Sequence, residues 1–147
     1  MPITMPHRML LAVVVLPLVL CSCAAYRNYS RNEECENSIK DYSKMVRWVE
    51  LGKAIGTLVD RQQREAYQHA ADVLRQRGVT MVDYRILSQA CHPERGTAES
   101  VMEFDYFVLP DSRLKTVTDH QKWIYREEQS DDQVPGWKLT TPPPVFK

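Results

Sequence analysis

The sequence predicts an α+β domain, helices first and an antiparallel sheet second, and three observations carry that prediction. Residues 38–78 place apolar side chains at steps of three and four, whereas residues 79–141 alternate apolar with polar. The alternating runs are joined by short polar turns, and a parallel crossover needs a dozen residues or more, so neighbouring strands must be antiparallel. From residue 38 to residue 147 there are about 110 residues, which suits one compact body.

The first helical stretch, "SIKDYSKMVRWVEL", aligns Met45, Trp48, Val49 and Leu51 on one face, with Ser38 or Asp41 to cap its start and Gly52 to end or interrupt it. A shorter segment over residues 53–59 carries Ala54, Ile55, Leu58 and Val59. Asp60 then caps the best-marked helix, where Ala66, Tyr67, Ala70, Ala71 and Leu74 repeat at the helical interval. Arg75 and Arg77 suit the negative end of its dipole, and Gly78 suits a left-handed cap.

After Gly78 the period becomes two. "VTMVDYRILSQ" sets Val82, Tyr84 and Ile86 against Asp83 and Arg85. "SVMEFDYFVL" sets Met102, Phe104, Tyr106 and Val108 against Glu103 and Asp105. "LKTVTDHQKWIYREE" puts Val117, Trp123 and Tyr125 on one face, with Thr118, His120, Lys122 and Arg126 opposite. "WKLTT" is a last short strand, stopped by Pro142, Pro143 and Pro144. The expected result is a four-stranded meander with helices on one face.

Residues 1–22 read as a leader. Arg8 precedes the apolar run "MLLAVVVLPLVL", about 12 residues long, where a bilayer-spanning helix needs roughly 20. The run ends in "LCSC", which resembles the lipobox of bacterial lipoproteins: Leu20 stands three before Cys23, and small Ser22 stands just before it. The resemblance implies diacylglycerol on the Cys23 thiol as the link to a membrane, with several acyl chains holding firmly. Ala24 after that cysteine implies sorting to the outer membrane, facing the periplasm. An ordinary cleaved signal, cut around Ala24 and Ala25, is the plainer alternative.

Residues 23–37, "CAAYRNYSRNEECEN", are polar without an apolar period and read as a lipidated tether, flexible at first. Removing residues 1–22 takes one Arg from 19 basic residues and nothing from 19 acidic ones, leaving a net charge of −1. No basic stripe invites nucleic acid. Cys35 and Cys91 remain, and in an oxidising compartment they either pair or stay as two thiols. No Cys/His spacing for zinc or haem, phosphate loop or nucleophile elbow is present, so no metal or cofactor is expected. The acidic "EEQSDD" lacks the ligand spacing and glycine of a calcium loop.

The runs "MVRWVELGKAIGTLVDRQQREAY", "VDYRILSQ", "FDYFVLPDSRLKTVTDHQKWIYREE" and "GWKLTTPPPVF" resemble a group of small bacterial lipoproteins of unassigned role. That resemblance, over roughly residues 40–146, implies a nuclear-transport-factor-2-like (cystatin-like) cone of helices against a curved sheet. Enzymes of that fold use Asp or His in an apolar hollow, aided by Tyr. Here Asp83, Asp105, Asp119 and His120 fall on strands, with Tyr67, Tyr84 and Tyr106 as possible assistants. Parity opposes most of them: Asp105 and Asp83 look solvated, paired across strands with Arg85 or Lys122, and His120 lies opposite Val117 and Trp123. His120, Tyr67 and Tyr106 are retained as weak pocket candidates, while the three tryptophans read as core.

A binding or interaction module therefore leads, engaging an envelope protein or a small apolar ligand, with a homodimer through the open sheet face conceivable. An isomerase- or dehydratase-like enzyme and a purely structural envelope component are the alternatives.

Overall fold

A computed structural model describes residues 7–127 and 134–147, with side chains from residue 25 onward. The elements are α1 (His7–Arg47), α2 (Leu51–Thr57), a 3-10 turn (Arg61–Gln63), α3 (Arg64–Gln76), β1 (Val79–His92), β2 (Thr97–Val108), β3 (Asp111–Arg126) and β4 (Gly136–Leu139). The strands form one antiparallel sheet in the order β1-β2-β3-β4, and the helices pack on it. This is the α+β meander that the change of period predicts.

The first correction concerns the tether. Residues 24–37 are not an irregular linker but part of α1. Cys35, Ile39, Tyr42 and Val46 are all at most 1 % exposed. Their steps of four, three and four make one helix face. That stripe includes a cysteine and a tyrosine inside polar text, which conceals it from a reading of hydropathy. Of the face expected from Met45, Trp48, Val49 and Leu51, Met45 and Val49 are half-buried against the core and Leu51 is buried. Trp48 is 68 % exposed and only stacks against the Arg47 guanidinium, 5.3 Å from the ring centroid, so it is not a core residue. The helix stops at Arg47 because Val49 turns left-handed, at φ 58°.

On β2 the expected parity is what the structure shows: Met102, Phe104 and Tyr106 are buried. On β1 it is not. The register slips between Met81 and Asp83, and again between Ile86 and Ser88. Bulges reverse which face a side chain takes. Met81 and Tyr84 therefore point toward the core, while Val82, expected beside Tyr84, is 41 % exposed. Ile86 keeps the parity of Tyr84, opposite buried Met102, yet is 39 % exposed.

Asp60 is buried, accepts a hydrogen bond from the Gln62 amide at 3.3 Å, and pairs with Arg126 at 3.1 Å. The adjacent backbone joins β4: the Leu139 amide donates to Leu58, and the Asp60 amide donates to Leu139. Gly78 takes the left-handed cap, at φ 63°. Beyond the prolines, Phe146 is buried against the Phe104 and Tyr106 rings. The acidic "EEQSDD" stretch falls largely outside the described residues. Among the described residues no helix is long and apolar enough to cross a membrane.

Candidate functional site

The chemistry-bearing side chains of the inner sheet face gather where α1 and α3 meet β3. Counting back from buried Trp123 by twos reaches Gln121 and Asp119, 2 % and 4 % exposed. A strand delivers every second side chain to one face, so the parity that buries Trp123 also buries these two polar groups. Gln121 Nε2 donates to Asp119 Oδ2 at 2.8 Å. Its Oε1 accepts from Ser100 Oγ at 2.7 Å and from Trp123 Nε1 at 3.1 Å. Buried polar atoms are tolerable only when paired, and Gln121 is satisfied on both ends.

The helices close the cluster from the other side. Tyr42 on α1 and Tyr67 on α3 bring their hydroxyls within 3.3 Å, and Tyr42 also hydrogen-bonds to Asp119. A phenol has one proton to donate. Either hydroxyl of the Tyr42–Tyr67 pair can be the donor. The Tyr42 ring meets the Tyr67 and Trp123 rings edge-on, at 6.2 and 5.9 Å.

Burial governs the electrostatics. Loss of solvent pushes the Asp119 carboxyl up to about 6, against the opposing pull of the bonds from Gln121 and Tyr42 and of His120. Burial likewise raises Tyr42 well above the ordinary phenol value, with the Asp119 charge adding to it, and raises Tyr67. A carboxyl near 6 is in the range of a general acid or base. Acting as one also requires a substrate within reach. Among the described residues, surface clefts of about 410 to 610 Å³ lie elsewhere, lined by residues other than Tyr42, Tyr67, Asp119 and Gln121. The cluster is packed polar core: it locks two helices to a strand.

The expected site residues are scattered. Tyr67 belongs to this cluster. Tyr106 is buried at a different place, where its hydroxyl accepts from the Lys147 amide at 2.9 Å. His120 is exposed on the outer face. There Arg85 bridges Glu103 and Asp105, and Thr116 Oγ1 donates to Asp105 at 2.6 Å. Cys35 and Cys91 are joined as a disulfide across 56 residues of chain, tying α1 to the end of β1. The Cys23 side chain lies outside the described ones. Asp119 appears among the strand aspartates of the sequence, but Gln121 and Tyr42 were missed; parity from Trp123 was the signal available for Gln121.

An apolar cleft of about 440 Å³ lies between α3 and residues 142–146. Among the described residues no group of three or more His, Cys, Asp or Glu side chains could hold a metal.

No family model matches the chain, and no curated protein matches it. Among solved structures it is similar to the intermembrane space region of the chloroplast protein ARC6. The two are 13 % identical over 76 % of this chain and 94 % of that one, with a TM-score of 0.48.

Proposed function

We propose that this chain is a lipid-anchored envelope protein whose body, a nuclear-transport-factor-2-like cone, serves as a binding module rather than an enzyme. The observation that carries the reading is the Cys35–Cys91 bridge. Disulfides persist in oxidising compartments, and this one follows a leader that ends in a lipobox-like "LCSC". In the chain-entropy estimate, a loop of this length stabilises the fold by about 4 kcal/mol. On this reading α1 replaces the flexible tether by a stiff one. Its residues 25–27 are exposed, and the buried stripe begins only at Cys35.

The binding role rests on the contrast between a polar cluster sealed in the core and an apolar cleft open at the surface. Ala24 after Cys23 points to the outer membrane. The test is fractionation of an expressing bacterium combined with intact mass. The mature chain should begin at an acylated Cys23, and Cys23→Ala should leave it unprocessed. A wild-type protein that is soluble, or that begins at another residue, overturns the anchor; two free thiols overturn the exported location.

The isomerase- or dehydratase-like reading has one observation in its favour, the raised Asp119 carboxyl beside two tyrosine hydroxyls. Its enclosure by the protein's own side chains weighs against it.

A further inference from the structure

The cleft between α3 and residues 142–146 has walls of unusual chemistry. On the helix side stand Ala66, Ala70 and Val73, small side chains at steps of four and three. Opposite run three consecutive prolines, then Val145, which is 69 % exposed, before Phe146 turns into the core. Prolines have no N–H to offer, and the helix spends its own backbone groups internally. An extended peptide laid here would find few partners for its amides, and an unpaired buried amide is costly. A hydrocarbon chain asks for none.

The ionisable side chains lining the cleft are His69 and Arg77, both bases. Arg77 donates through Nη1 to the Phe146 carbonyl, which fixes the guanidinium to the far wall. A guanidinium has five N–H donors and suits carboxylate or phosphate. From Ala66 to Arg77 the helix rises about 16 Å, and a volume of about 440 Å³ is within the usual span for small-molecule sites.

We propose that this cleft binds a single-chain amphipathic anion, its hydrocarbon along Ala66, Ala70 and Val73 and its carboxylate or phosphate head at Arg77. The proposal rests on reading the body as a binding module but does not depend on the anchor at Cys23.

The test uses the full chain in membranes of the expressing cell and three photoreactive probes of equal chain length: a fatty acid, an alkyl phosphate and an uncharged alcohol. Label is expected on the peptides covering residues 64–77 and 142–147, with the preferred anion favoured over the alcohol about tenfold. The acid and phosphate arms identify the head group. Ala66→Trp, at an exposed position, should fill the cleft and reduce labelling about tenfold with the thermal midpoint unchanged. Val145→Glu, at a position 69 % exposed, provides a second obstruction. Arg77→Gln should bring the anion down to the level of the alcohol.

Label elsewhere, no label, or label indifferent to both obstructing variants overturns the site. A partner's apolar helix as the true occupant would appear as such indifference. Equal labelling by all three probes overturns the anionic head. Label retained in Cys23→Ala, whatever its fractionation, separates failure of the anchor from failure of the cleft.

Discussion

Asp105 on β2 and Asp119 on β3 occupy opposite faces of the same sheet, and the fold moves them in opposite directions. Asp105 faces outward, where bonds from Arg85 and then Thr116 hold its carboxyl below the usual range. Asp119 faces inward, where burial outweighs its hydrogen bonds and pushes it up to about 6. One residue of parity separates a stabilised anion from a disfavoured one. Hydrogen bonds alone do not decide ionisation; the accompanying loss of water does.

The strongest way to break this contrast is to open the inner face. Trp123→Ala removes a fully buried ring and the donor to Gln121. It should cost about 3–5 kcal/mol in urea unfolding, and a loss under 1 kcal/mol would show that the inner face is not tightly packed.

Next comes the pH dependence of Asp119. Its folded value lies above its unfolded one, so its contribution is fully present below about pH 4 and lost as pH rises through about 6. The loss is about 3 kcal/mol, the equivalent of the rise from 3.8 to about 6. The groups facing it are Tyr42, Tyr67 and Gln121, with His120 next to it in sequence but on the outer face. Asp119→Asn should remove this component. The wild-type minus variant difference in unfolding free energy, followed from pH 4 to pH 7, should fall steadily, and a flat difference refutes the buried-carboxyl assignment.

A smaller effect tests how closely sheet and helix approach. Gly136 has φ 121°, and a Cβ there would stand 2.7 Å from Glu34 Oε1. Gly136→Ala should destabilise by about 1–3 kcal/mol. Truncating Glu34 to Ala in the same chain should recover only the steric part, leaving the backbone strain visible in the thermal midpoint.

The smallest effect belongs to the outer face. Asp105→Asn leaves Arg85 with Glu103 and should weaken the fold only slightly. The Arg85 side chain is half-exposed but Asp105 is only 14 % exposed, so molar salt should shrink the difference without abolishing it. Complete loss at high salt would mean that the pair is fully solvated.

Much of this was legible in residue order. The change from helical to alternating period located the helices and the meander, and Gly78 marked the end of α3. Asp60 caps the 3-10 turn before α3 instead of α3 itself. Of Arg85 and Lys122, the two partners expected for Asp105, the fold uses Arg85. The helical stripe of Cys35, Ile39, Tyr42 and Val46 was not seen, because two of its members pass for polar residues until a core covers them. The exposure of Val82 was not legible because a bulge leaves no mark in hydropathy.

Local preference and periodicity act between near neighbours, so the chain by itself determined which segments coil, which extend and in what order they pair. Whether Trp48 meets water, whether two distant cysteines meet and whether an aspartate sits among tyrosines depend on surfaces brought together across long stretches of chain. Removal of water by those surfaces, decided only on folding, sets the burial and charge of every side chain at issue.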